Sequence, residues 1–165
     1  MEILIIRHGQ AVDDAPALGD EGRWLTGKGR RITLRVARWM AEREDRRPAA
    51  IWTSPLVRAV QTAEIVADAV GLTDGVSVAA ELTPGHAPAD VVKRLASFSG
   101  AGPLALVGHE PLLSAVAVSL LGSGAAEAEL WLKKSGVIAL TWDGQRPATL
   151  RFLLDPKEMS VTTAL

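Results

Sequence analysis

The stretch Ile3-Leu4-Ile5-Ile6-Arg7-His8-Gly9 decides how the rest of the chain is read. Four consecutive large apolar residues predict a strand buried on both faces, of the kind found in parallel sheets. The strand runs straight into an arginine, a histidine and a glycine. In open α/β sheets the ligand crevice lies beyond the carboxyl ends of the strands, so an imidazole and a guanidinium there are rigidly held and face solvent. Glycine next in line permits a sharp turn and a close approach of a ligand to the backbone. A strand that merely ends in two polar residues would read the same over these seven positions, and the remaining chain has to decide.

Working outward, Gln10 to Leu25 is polar and rich in Gly, Pro and Asp, and reads as a loop. Thr26 caps a helix to about Arg43, with Ile32, Val36, Trp39 and Met40 on its inner face and Arg31, Arg35 and Arg38 on a solvated one. Ala49 to Thr53 is strand-like. Ser54-Pro55 predicts a helix start, serine as cap and proline at the first helical position. That helix turns Leu56, Ala59, Val60, Ala63, Val66 and Val70 inward and stops at Gly71. Val76 to Ala79 predicts a third strand, Glu81 to Gly85 a loop, and Pro88 to about Phe98 a helix. Leu104 to Val107 is another buried strand, ending in Gly108-His109, and a helix runs from Pro111 to Gly122. Gly136 to Trp142 and Ala148 to Leu154 predict a hairpin around Asp143-Gly144. The tail from Lys157 has no pattern. Strand and helix alternate, so the expected fold class is α/β. We expect one domain over residues 1–165, a three-layer α/β/α sandwich whose sheet is mostly parallel with an antiparallel C-terminal hairpin.

Composition narrows the function classes. A length of 165 residues, 48% apolar and 22% charged, suits a globular domain with a proper core. A net charge of −1 gives no general pull toward nucleic acid or membrane, although nine of the eighteen basic residues fall between Arg23 and Arg47. With no cysteine, neither a disulfide framework nor a thiolate metal site is available. The first apolar run is too short for a signal peptide and the stretch Pro111 to Leu121 too short to span a bilayer. The default expectation is a cytoplasmic monomer.

The chemistry collects at one edge. His8 and His109 each follow a buried strand and each stands beside a glycine, while Arg58 lies in the first turn of the helix after the second strand. Arg7, His8, Arg58 and His109 can therefore converge on one crevice. Two guanidiniums, two imidazoles and helix N-termini suit a dianion, most naturally a phosphoryl group. No cluster of carboxylates accompanies them, so no metal or other cofactor is required, and arginine offsets the phosphoryl charge. Histidine can then act as nucleophile through a covalent phosphoenzyme. Four ordinary histidines and arginines in these places would require four separate coincidences.

Arg7-His8-Gly9, the run Ser54-Pro55-Leu56-Val57-Arg58-Ala59-Val60-Gln61-Thr62, and Gly108-His109 together resemble the histidine phosphatase superfamily, which has the phosphoglycerate mutase-like fold. Within it the likeness is to the SixA type, the phosphohistidine phosphatases, and extends to Arg23 before Leu25-Thr26, to Glu81-Leu82-Thr83-Pro84-Gly85 and to the overall length. The resemblance spans Met1 to about Pro156. It implies that His8 is the transiently phosphorylated nucleophile and that Arg7, Arg58 and His109 bind the phosphoryl oxygens. Arg23 matches a further phosphate-side arginine, against the plain reading of a solvated loop residue. Glu81 stands where much of the superfamily has an acid that protonates the leaving oxygen, against a merely structural role. An imidazole leaving group makes that acid less necessary. His86 matches no family role and reads as an exposed loop histidine.

Larger superfamily members carry a capping insertion between the helices that here end near Gly71 and begin at Pro88, and in this chain only a short strand and loop lie between them. The crevice is therefore expected to be shallow and open, suited to phosphohistidine on a protein, such as a phosphorelay histidine domain. Two other functions stay open: a broad phosphomonoesterase acting on small phosphate esters, and a non-catalytic phosphoprotein-binding module, against which the full catalytic set argues. Gly22 to Lys28 also fits seven positions of a P-loop. Its eighth position is Gly29 where Ser or Thr is needed, and no buried strand precedes it.

Overall fold

The structure, a computed structural model, describes residues 1–122, 130–144 and 147–164. Its strands are β1 (Glu2–Arg7), β2 (Ala50–Thr53), β3 (Val76–Val78), β4 (Leu104–Gly108), β5 (Val137–Thr141), β6 (Thr149–Asp155) and β7 (Ser160–Thr162). Its α-helices are α1 (Gly27–Ala41), α2 (Val57–Val70), α3 (Pro88–Ala96) and α4 (Leu112–Leu121). The strands form one sheet of order β3-β2-β4-β1-β5-β6-β7, parallel from β3 to β1 and antiparallel from β5 onward. This is the expected mixed sheet, with the C-terminal hairpin added beside β1.

Strand β1 is central because every one of its apolar side chains has a layer to enter. Ile3 and Ile5 pack with α3 and α4, while Leu4 and Ile6 pack on the opposite face with α1 and α2. All four are at most 1% exposed, each worth about 1.5–3 kcal/mol of burial. Flanked by β4 and β5, β1 has no free edge, so its carboxyl end is fixed on both sides.

Three sequence expectations need amending. The α2 helix starts at Val57, and Ser54 makes no helix cap; the preceding residue, Leu56, has no side-chain cap either. Thr26 does cap α1, accepting from the Gly29 N–H at 3.0 Å, but the inner face of that helix is Gly29, Thr33, Val36, Ala37 and Met40, with Ile32 and Trp39 only half-buried. The tail, unpatterned in sequence, contributes the short edge strand β7 against β6. Among the described residues no helix is long and apolar enough to cross a membrane.

Candidate active site

The carboxyl end of β1 is a locked corner. The His8 N–H donates to the Gly108 carbonyl of β4 at 3.0 Å, and the Arg7 N–H to the Gly136 carbonyl before β5 at 3.2 Å. Ser135, held at φ 67°, directs its N–H toward the carbonyls of Arg7 and His8 at 3.1 and 3.3 Å. Non-glycine residues seldom adopt that backbone, and strain of this kind persists only where surroundings enforce it. Gly9 follows for a reason other than a sharp turn: a Cβ there would stand 2.6 Å from the Thr33 hydroxyl, which is bonded to that of Ser135 at 2.9 Å. The Gly9 N–H donates to Thr62 Oγ1 at 3.0 Å, tying the corner to α2.

This corner selects the tautomer of His8. Nδ1 lies 2.7 Å from the Gly9 carbonyl, which can only accept, so Nδ1 carries the hydrogen and Nε2 keeps its lone pair. The ring is only 8% exposed. Burial, and then the charges of Arg58, Arg7 and Lys134, push its pKa down to about 4 against the pull of the Gly9 bond. At neutral pH His8 is therefore an uncharged imidazole with a free nitrogen in a cationic setting.

His109 comes from the end of β4, and its ring centroid lies 4.9 Å from that of His8. Its Nε2 is 2.8 Å from the Ser54 hydroxyl, which also accepts from the Leu56 N–H at 3.4 Å. Ser54 can thus donate to Nε2, which leaves the hydrogen on Nδ1, and Nδ1 is buried without a partner. Burial, and then the neighbouring His8 and Arg58, hold this imidazole at about 3. The residue that looked like a helix cap in sequence is the orienting partner of the second histidine.

Two arginines complete the cluster. Arg7 donates to the Leu132 carbonyl at 2.7 Å and leaves its buried Nε unpartnered. Arg58, in the first turn of α2 and 5% exposed, donates through Nη1 to the Asp20 carbonyl at 2.7 Å and through Nη2 to Asp20 Oδ2 at 3.0 Å. The other oxygen of that carboxylate accepts from Arg23 at 2.8 Å, while Arg23 Nε holds the Val12 carbonyl. Asp20 therefore fastens Arg23 to Arg58, and these hydrogen bonds, Arg23 first, hold its carboxyl below the usual range. Sequence reading passed over Asp20: a lone aspartate in a polar loop carries no signal until α2 is folded beside it. Ser54 and Thr62 stand in the run that carries the resemblance, but their roles at His109 and Gly9 appear only once the elements are folded together.

The cluster thus unites Arg7, His8, Arg58, His109 and, through Asp20, Arg23. It does not include Glu81. That carboxylate, on the 3-10 turn Ala80–Leu82, is bound by Arg94 at 3.0 and 3.2 Å, in a groove it shares with Trp52, Asp90 and Lys93. Its pKa is lowered, first by its own backbone N–H and also by Arg94, whereas a proton donor needs a raised one. His86 is exposed, as expected. Only β3 and the short turn link α2 to α3, as anticipated for an uncapped crevice, yet both imidazoles are buried, His109 just 3% exposed. The Gly22–Lys28 segment follows turns, not a strand, so no P-loop forms. Among the described residues no group of three His, Cys, Asp or Glu side chains could hold a metal ion.

A family model, that of the histidine phosphatase superfamily (branch 1), matches residues 3–83, a span with Arg7, His8, Arg23 and Arg58. An uncharacterized protein of Picosynechococcus sp. (strain ATCC 27264 / PCC 7002 / PR-6) is 37% identical over 142 residues, 85% of this chain and 84% of that protein. The phosphohistidine phosphatase SixA of Escherichia coli (strain K12) is 26% identical, and the match covers both chains in full. The solved structure of the protein histidine phosphatase SixA complexed with tungstate matches with a TM-score of 0.85 at 27% identity, over 97% of this chain and 100% of that one.

Proposed function

We propose that this chain, which belongs to the histidine phosphatase superfamily, hydrolyses phosphohistidine on a protein through a covalent intermediate on His8 and without a metal. The observation that carries this reading is the fixed tautomer of His8: a neutral ring with a free Nε2 beside a second imidazole and two arginines. Nε2 attacks phosphorus as the P–N bond to the substrate imidazole breaks, and that imidazole leaves with a proton from solvent. Water then attacks the phosphoryl group on His8, releasing inorganic phosphate and restoring the free ring.

The transferred group carries negative charge on its equatorial oxygens throughout. The unpartnered Arg7 Nε and His109 Nδ1 are buried donors suited to those oxygens, and Arg58 adds positive charge. Prealigned donors of this kind supply about 3–4 kcal/mol each in comparable sites. Likeness to the phosphohistidine phosphatase SixA of Escherichia coli supports the substrate class. The test is a rate comparison between a phosphohistidine protein and small phosphate esters, with and without a chelator. We expect the protein to be turned over faster and the chelator to change nothing. Faster turnover of the esters, or a strict metal requirement, would count against the reading.

A further inference from the structure

The rim of the crevice has a composition that its chemistry does not require. Leu18, in the loop that carries Asp20, is 63% exposed, and Val57, next to Arg58, is exposed with its N–H on the Glu21 carbonyl at 3.1 Å. Trp24 follows Arg23 and is also exposed. On the other side Trp131, 50% exposed, lies under the Arg7 guanidinium with 5.9 Å from its centre to the ring. Four of the seven large apolar side chains exposed among the described residues thus lie on the segments that carry Asp20, Arg23 and Arg58 or against Arg7. Exposed apolar clusters with tryptophan and arginine mark surfaces that another protein covers.

The adjoining helix states the partner's charge. The first turn of α1 rests on Gln10, two residues beyond His8, so closely that a Cβ on Gly29 would stand 2.1 Å from the Gln10 carbonyl oxygen. Its exposed cations Lys28, Arg30 and Arg31 form no ion pair among the described residues, although Arg30 and Arg31 line a groove with Glu64 and Asp68 of α2, and α1 itself holds no acidic residue. Cations at a helix N-terminus oppose its dipole by about 0.3–1 kcal/mol each. The charge is also local, because the chain as a whole carries −1.

We propose that this rim and the N-terminal face of α1 form a docking surface for an acidic protein that carries its phosphohistidine into the crevice. The inference rests on the phosphohistidine reading above and adds the partner's chemistry and place. Apolar side chains cover the mouth, and the cations draw in the acidic fringe and set its orientation.

Two helical carrier proteins identical except for their surface, one with its phosphohistidine ringed by glutamates and one by lysines, test it beside the tripeptide Gly-phosphohistidine-Gly. The acidic carrier is expected to exceed both in kcat/KM by about tenfold or more, with a rate that falls as salt rises. Arg30→Glu/Arg31→Glu should remove that advantage and leave tripeptide turnover unchanged. Arg30→Gln/Arg31→Gln should remove part of it, which guards against a folding defect in the reversal. Equal rates on both carriers, or no effect of either double variant, overturn the docking surface alone. Hydrolysis of none of the three phosphohistidine substrates overturns the reading beneath it as well. Tight binding of duplex DNA or of anionic vesicles, lost in the double variants, would reassign the surface and overturn the proposal.

Discussion

Two arginine–carboxylate pairs in this molecule have the same length, 3.0 Å, and different consequences. Arg94 meets Glu81 in a half-exposed groove, its guanidinium centre 4.7 Å from the Trp52 ring centroid. Arg58 meets Asp20 from a buried position, and its charge reaches both imidazoles of the cluster. Solvent reaches both carboxylates, that of Asp20 more than that of Glu81, but it screens Arg94 and largely spares the buried Arg58 guanidinium. Length alone does not distinguish a surface ion pair from one that organises a reaction site; burial and neighbours do.

The sharpest way to break the comparison is to remove each arginine in turn. Arg58→Ala is expected to lower kcat/KM by about a thousandfold, the scale of losing one preorganised donor at a developing charge. Arg94→Ala should stay within about threefold, as exposed pairs contribute little. A large loss in both, measured by steady-state kinetics, would show that the two pairs are not functionally distinct.

The field that distinguishes Arg58 also shapes stability against pH. Unfolded, both histidines titrate near 6.5. Folded, burial and the surrounding charges hold His8 at about 4 and His109 at about 3. Between those values the unfolded chain binds more protons, so stability rises with pH across the window and is lost as pH falls from about 6.5 toward 4. His8 alone accounts for roughly 3 kcal/mol of that slope. Urea midpoints at pH 7, 5 and 4 should therefore decline, and His8→Asn should decline less steeply.

Asp20 offers a finer cut. Its backbone carbonyl and Oδ2 hold Arg58, and Oδ1 holds Arg23, so it is a positioning residue. Asp20→Ala is expected to reduce kcat/KM by about tenfold through loss of alignment. Asp20→Asn, which keeps an oxygen acceptor, should recover most of the kcat while the folded stability of the two variants stays alike. A lower KM and unchanged kcat in Asp20→Ala would instead make Asp20 a competitor of the incoming phosphoryl group.

How much of this was legible in sequence follows from range. The runs Ile3–Ile6 and Leu104–Val107 announce strands because both of their faces are buried, and the His8 and His109 positions follow from where such strands end. Arg58 was legible because a βα connection leaves from that edge. Ser54 read as a helix cap because serine before proline usually is one, and only the approach of β4 turns its hydroxyl to His109. Asp20 acts on a residue 38 positions away, and nothing local marks it. Glu81 followed the family pattern, but Arg94, one helix later, claims the carboxylate. The edge strand Ser160–Thr162 is short and exposed, so it leaves no burial pattern to read.

The covalent step on His8 is tested most directly by quenching a turnover of phosphohistidine substrate and locating the phosphoryl group. The account predicts an acid-labile, base-stable phosphoryl on His8, attached at Nε2 by phosphorus NMR because Gly9 occupies Nδ1, and none in His8→Ala. A phosphoryl group on another residue, or full activity in His8→Ala, would contradict it.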